Sequence, residues 1–143
     1  MCIRDSTYAE LCVIKAAVLA KVPDGLDLIQ AAALPLVTVT GNQLLAATGI
    51  KAGQTVLVVG AAGNVGRSAV FAAKQRGAVV IAGVLKSQVG EAKTIGADQL
   101  VATDDDNAIA NLPMLDVVAD TVNGKTAEKS VSYTHLDVYK RQS

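Results

Sequence analysis

VVGAAGNVG, residues 58–66, is the stretch whose reading decides the fold. An apolar run breaks there into Gly60, Gly63 and Gly66, and the flanking residues say what these glycines connect. Before them, TVLVVG is a near-continuous Val/Leu run, the pattern of a strand buried on both faces. After them, NVGRSAVFAAK sets Val65, Ala69, Ala72 and Ala73 along one helical face. The glycines therefore occupy a strand-to-helix turn, which is the context a dinucleotide-binding turn requires. Two features hold the reading back. The strict G-x-G-x-x-G pattern carries glycine where this chain has Ala61, and tight turns of this kind also occur without a ligand.

If the turn binds a dinucleotide, each residue has a separate task. Gly63 removes a side chain where backbone must approach a pyrophosphate, and amides at the helix start donate to the phosphate oxygens with help from the helix dipole. Gly66 lets the helix lie close against the strand, and Ala61 and Ala62 complete the tight bend. The end of the second strand then selects the cofactor. No Asp or Glu stands between Val79 and Gly90 to accept from a ribose 2′-hydroxyl, and Lys86 offers a cation instead. The expectation is NADP(H), with an ordinary exposed lysine as the alternative. Ser87 is either a further donor or a helix cap.

Outward from the turn, short apolar runs alternate with helical stretches: TVLVVG, NVGRSAVFAAKQRG, AVVIAGV, QVGEAKTIG, DQLVAT, NAIANL and LDVVADTV. Strands separated by helices must run parallel, because a crossover is needed to return. The predicted fold is a doubly wound parallel α/β sheet of the Rossmann type, with Gly77 and Gly96 as left-handed helix caps. Upstream, TYAELCVIKAAVLAKVP, residues 7–23, shows partial alternation and ends at the turn signal Pro23-Asp24-Gly25, so it reads as a strand. Asp27 with Gln30 resembles a capping box that starts a helix at residue 28, and Pro35 interrupts it and opens the next. In that next helix Leu36, Val39, Thr40, Gln43, Leu44 and Ala47 fall on one face.

Composition narrows the function classes. A chain of 143 residues with 51% hydrophobic content and zero formal net charge reads as an ordinary soluble domain. Its Lys and Arg are scattered singly, which argues against nucleic acid. The apolar runs, such as residues 78–85, are too short to cross a bilayer, and no signal pattern opens the chain, so a cytoplasmic protein is expected. Two cysteines, Cys2 and Cys12, make neither a disulfide framework nor a zinc site. The run Asp104-Asp105-Asp106 reads as a solvated loop with one helix cap, since three consecutive carboxylates cannot all face one metal. Both ends differ from the body: MCIRDS and VSYTHLDVYKRQS look like translated adapter sequence, with a natural polar tail as the alternative. On either reading His135, the single histidine, is not recruited as a catalyst.

TYAEL, AAALPLVTVTGNQLL, AGQTVLVVGAAGNVG, IGADQLV and LDVVADTVNG occur in an order and spacing that resemble the medium-chain dehydrogenase/reductase superfamily, specifically its zinc-independent quinone oxidoreductase-like branch. The resemblance covers nearly all of residues 7–130. It implies a GroES-like catalytic domain ending at residues 7–23, connecting helices over 24–50 and a partial Rossmann domain over 51–130; residues 1–6 and 131–143 are expected to be non-native from their adapter-like sequence. It further implies NADPH in the cleft, a small-molecule substrate, no metal, and a homodimeric parent. Carried over residue by residue, Ala62, Gly63, Asn64 and Val65 match the pyrophosphate segment, where Asn64 replaces a common glycine. Thr40 matches a threonine beside the nicotinamide, although a threonine within a helix also bonds the carbonyl four residues back. Thr121 and Val122 end the fourth strand, where ligand contacts or plain strand termini are both open readings.

The resemblance implies an NADPH-dependent oxidoreductase passing hydride to a quinone or activated alkene, with no catalytic residue named in this chain. The fragment alone is expected to be inactive. A short-chain dehydrogenase is disfavoured because Asn64 stands where that family needs glycine and the body lacks a Tyr-x-x-x-Lys pair. A non-catalytic NAD(P)-sensing module is the remaining alternative.

Overall fold

The computed structural model describes residues 10, 11 and 13–123. They fall into two compact units, divided between Ala32 and Ala33. Cys2, Cys12, His135 and both proposed non-native ends lie outside the described residues.

The first unit corrects the expectation of a strand over residues 7–23. Its described residues run as irregular chain with a single 3₁₀ turn at Ala16–Val18, and Leu11, Val13, Val18 and Leu19 are exposed. A strand needs a neighbour for its amides and carbonyls, and no strand is described in this unit to supply one. Helix α1, Leu28–Ala32, follows. Asp27 caps it, its Oδ2 accepting from the amides of Ile29 at 3.0 Å and Gln30 at 3.1 Å.

The second unit is built on four parallel strands in the order β3-β2-β1-β4. These are β1, Thr55–Val59, β2, Val79–Val84, β3, Gln99–Ala102, and β4, Val117–Asp120. The helices are α2, Leu34–Thr48, α3, Asn64–Gln75, α4, Val89–Ala92, and α5, Asp106–Ala110. Alternate residues of β1 serve opposite faces. Val56 and Val58 join a core with Leu45 of α2, Ala69, Val70 and Ala73 of α3, and Ala92 of α4. Leu57 and Val59 join Ile81, Val101 and Leu115, against which Ala108 of α5 packs. Cover on both faces is why the strands read as continuous apolar runs, and it makes the sheet doubly wound.

Helix α2 belongs to this unit. The face it buries also differs from the one its periodicity suggested. Leu36, Val39, Thr40, Gln43 and Ala47 are exposed, whereas Gly41 and Leu45 are buried. Both faces carry apolar residues, so the choice falls to Gly41: a Cβ there would lie 2.7 Å from the Ala69 amide and Ser68 Oγ of α3. Only the glycine face permits so close a helix crossing. Contrary to the sequence expectation, the stretch Leu28–Thr48 is long and apolar enough to cross a membrane by length and composition. Within that stretch α1 ends at Ala32 and α2 begins at Leu34, and α2 carries Asn42 and Gln43.

Two aspartates brace the starting ends of the strands. Asp98, just before β3, accepts from the Val80 amide of β2 at 2.7 Å and from Lys74 Nζ of α3 at 2.7 Å. Asp116, just before β4, accepts from the Thr55 amide of β1 at 2.7 Å. Each supplies an acceptor to the first residues of a neighbouring strand, where the ladder is only beginning.

The Lys74 ammonium and the Val80 amide hold the Asp98 carboxyl below its ordinary value of 3.8. Above that value the carboxyl is ionised in both folded and unfolded chains, and its contribution to stability is fully present. Below it the unfolded chain takes up the proton first, so that contribution is lost as pH falls through the depressed folded value. Urea midpoints followed through this acid range should decline less steeply in Asp98→Asn than in the parent, by a modest margin because the pair is over a third exposed. Equal slopes would show that these partners do not hold the charge.

Candidate functional site

At the far ends of the strands, the chain leaves β1 through Gly60 with φ of +77°, a conformation that side chains disfavour. The amides of Gly60 and Ala61 both donate to the Gly83 carbonyl of β2, at 2.9 and 3.0 Å, and the Gly63 amide donates back to the Gly60 carbonyl at 3.0 Å. This closes the bend. Ala61, which replaces the first glycine of the strict pattern, is fully buried, so a methyl group fits there as core.

Gly66 and Gly63 are glycines for opposite reasons. A Cβ on Gly66 would collide with the Gly60 carbonyl oxygen and lie 2.7 Å from Ala61 Cα, so glycine is what lets α3 rest on the end of β1. A Cβ on Gly63 would meet only the Gly60 carbonyl, at an ordinary 3.4 Å. Nothing among the described residues forbids a side chain at 63. The space in front of it opens outward beside the first turn of α3, whose N-cap position is Gly63 and which no side chain caps. Ala62 is half-buried behind this opening, Asn64 is exposed and Val65 is half-buried. The arrangement leaves amides at a helix start and room for a group that needs them.

The order β3-β2-β1-β4 reverses direction between β1 and β4, the switch point where open parallel sheets place ligands. Thr121 and Val122 stand there. Thr121 Oγ1 donates to the Val59 carbonyl at 2.8 Å, and a Cβ on Gly60 would run into the Val122 side chain and Thr121 Oγ1. The structure thus brings Gly60, Gly63, Gly66, Thr121 and Val122 to one end of one sheet. Thr40 lies on α2, and its hydroxyl donates to the Leu36 carbonyl at 2.7 Å, the helix-internal bond open to any such threonine.

Lys86 sits in the 3₁₀ turn Lys86–Gln88 beyond β2. Its ammonium pairs with Asp105 Oδ2 at 3.0 Å, and its amide donates to Asp104 Oδ1 at 2.9 Å. The hydrogen bond and charge of Asp105 raise the Lys86 pKa, and Lys86 in turn lowers that of Asp105. Ser87 caps no helix, since Gln88 holds the N-cap position of α4. Among the described residues no group of three or more His, Cys, Asp or Glu is placed to hold a metal. A groove between α2 and α3, lined by Thr38, Val39, Ser68, Phe71 and Arg76, runs along the later part of α3 and not at the glycine turn.

No protein-family model matches the chain. It is 33% identical over 129 residues to acryloyl-coenzyme A reductase of Metallosphaera sedula, covering 89% of this chain and 38% of that protein. Among solved structures, the quinone oxidoreductase of Coxiella burnetii superposes with a TM-score of 0.70 at 33% identity, over 78% of this chain and 36% of the other. The quinone oxidoreductase of Thermus thermophilus, solved also in complex with NADPH, gives 0.68 at 29% identity, over 78% and 38%. The chain belongs to the medium-chain dehydrogenase/reductase superfamily. It spans little more than a third of the length of each of these superfamily members.

Sequence reasoning about this dehydrogenase/reductase chain missed Arg67. Its Nε donates to the Ala62 carbonyl at 3.0 Å and its guanidinium pairs with Glu91 of α4, so it holds the bend from behind. A cation one turn into the helix was the available signal, but its direction depends on where α4 lies. Asp120 was also missed: its carboxylate accepts from the amides of Val122 and Asn123 and shapes the exit from β4.

The two glycines predict opposite outcomes on stability. Gly66→Ala should cost roughly 1–3 kcal/mol as an overpacked contact, whereas Gly63→Ala should stay within about 1 kcal/mol of the parent. Thermal and urea unfolding followed by circular dichroism separate the two, and equal losses would contradict the open space at Gly63.

Proposed function

We propose that this chain is the cofactor-binding part of an NADP(H)-dependent, zinc-independent oxidoreductase of the cytoplasm that passes hydride to a quinone or an activated alkene. The observation that carries the reading is the glycine turn. Gly63 is not required by any neighbour among the described residues, yet it opens onto uncapped helical amides at the switch point of a parallel sheet. A pyrophosphate uses both features, because its oxygens need amide donors and its bulk needs the missing side chain. The Thermus relative solved with NADPH supports the cofactor class, and the quinone oxidoreductases and acryloyl-coenzyme A reductase support the acceptor class.

A nicotinamide cofactor supplies the hydride when bound. The residues of this chain hold and orient. Ala62, Gly63, Asn64, Val65 and Gly66 form the phosphate cradle, stiffened by Arg67 on the Ala62 carbonyl. Thr121 and Val122 border the cradle from β4. The Thr40 hydroxyl, its proton committed to Leu36, offers lone pairs, so it accepts from a carboxamide and does not donate to one. Lys86 would supply the cation for a 2′-phosphate. Catalysis rests on orientation of donor and acceptor, which removes entropic cost without a protein nucleophile.

Titration of the purified chain with NADPH, followed by cofactor fluorescence, should show saturable binding that Gly63→Ala weakens by more than about tenfold while the fold survives. Unchanged affinity in that variant, or no binding in the parent, would remove the basis of the proposal. For the reaction, the complete coding region should oxidise NADPH with a 1,4-quinone or an enoyl thioester, and inertness toward both would refute the acceptor class.

A further inference from the structure

Parallel pairing of β2 with β3, in the register Val84 to Ala102, brings the loops after both strands to one place. The Thr103 amide and hydroxyl both donate to the Val84 carbonyl, at 2.8 and 3.2 Å, which locks the two loops together. Lys86 therefore meets Asp104 and Asp105, residues far from it in sequence. It is the sole cation between Val79 and Gly90. We propose that Asp105 is a specificity-determining residue that holds down the preference of this site for a 2′-phosphorylated cofactor over its 2′-hydroxyl counterpart. The proposal rests on the dinucleotide reading above and adds to it a residue the glycine turn says nothing about.

The argument turns on what fixes Asp105. Its Oδ1 accepts from the amides of Asn107 at 3.0 Å and Ala108 at 3.3 Å as the N-cap of α5, while Oδ2 faces Lys86. The cap anchors the carboxylate whether or not Lys86 stays with it. A 2′-phosphate reaching for Lys86 must displace this ion pair and then remain beside a carboxylate that cannot withdraw. A 2′-hydroxyl meets no such repulsion, and a carboxylate is the acceptor it needs. One lysine is thus set against one anchored carboxylate on its side chain and a second on its amide. The absence of an acid on β2 overstates the preference for phosphate, because the acid arrives from β3.

Asp105→Asn tests this cleanly, since asparagine caps a helix as well as aspartate does while removing the charge. NADPH and NADH are titrated separately into the parent, Asp105→Asn, and Asp105→Asn combined with Lys86→Ala, with unfolding midpoints recorded for each. Asp105→Asn should raise the NADPH-to-NADH affinity ratio by about three- to fivefold, the scale of an exposed charge pair. The gain should come mainly from tighter NADPH, shrink at high salt, and vanish when Lys86 is also removed. Asp105→Ser, a second capping residue without charge, should reproduce the result if the asparagine variant is poorly folded. An unchanged ratio in folded variants that bind both cofactors overturns this inference alone. Failure of every variant to bind either cofactor overturns the dinucleotide reading and this inference with it.

Discussion

The distance at which helix α3 can approach the end of strand β1 governs the rest of the molecule. That distance is set by Gly66 lying against the Gly60 carbonyl, with no atom to spare for a side chain. Close contact there aims the first turn of α3 at the strand end and presses Ala69, Val70 and Ala73 onto Val56 and Val58. It also forces the chain to turn within a few residues, which Gly60 accomplishes with a positive φ and two amides on the Gly83 carbonyl. Packing and site are consequences of one contact: a longer, looser turn would lose both the core beneath α3 and the cluster of amides in front of it.

The sheet carries different chemistry at its two ends. At the starting ends, Asp98 and Asp116 give acceptors to neighbouring strand amides. At the finishing ends, glycines and helix-start amides lie beside charged groups that are paired or capping: Arg67 with Glu91, Asp120 at the exit of β4, and Lys86 with Asp105. Parallel strands impose this division, since every strand starts at one end and finishes at the other, and each following helix begins where its strand stops. The first amides of α3 therefore lie at the finishing end of the sheet, where an anion can reach them.

Membership of the medium-chain dehydrogenase/reductase superfamily agrees with this division of labour. Two glycines in one turn serve separate purposes, Gly66 for packing and Gly63 for space that the chain itself leaves unused. The same superfamily relationship extends to a coenzyme A thioester reductase and to quinone oxidoreductases, proteins whose acceptors differ widely. A shared fold does not fix a shared acceptor, so the likeness to these proteins speaks for the sheet and its glycine turn.

The amino-acid sequence by itself determined the succession of elements in the sheet unit and the identity of the glycine turn. Continuous Val and Ile runs announce doubly covered strands, and glycine spacing is a local property that requires no knowledge of neighbours. Local signals also located the Asp27 cap on α1 and one cap within residues 104–106, which the structure assigns to Asp105 on α5. Tertiary structure alone decided the pairings between distant residues. Nothing in the spacing of Lys86 and Asp105 links them, because their contact exists only once β2 and β3 lie in register. It decided likewise that Gly41 chooses the buried face of α2, and that residues 7–23, with partial alternation but no described partner strand, form no strand where they are described. Periodicity records which residues avoid water; which surface they turn toward is settled by the shapes of the surfaces available.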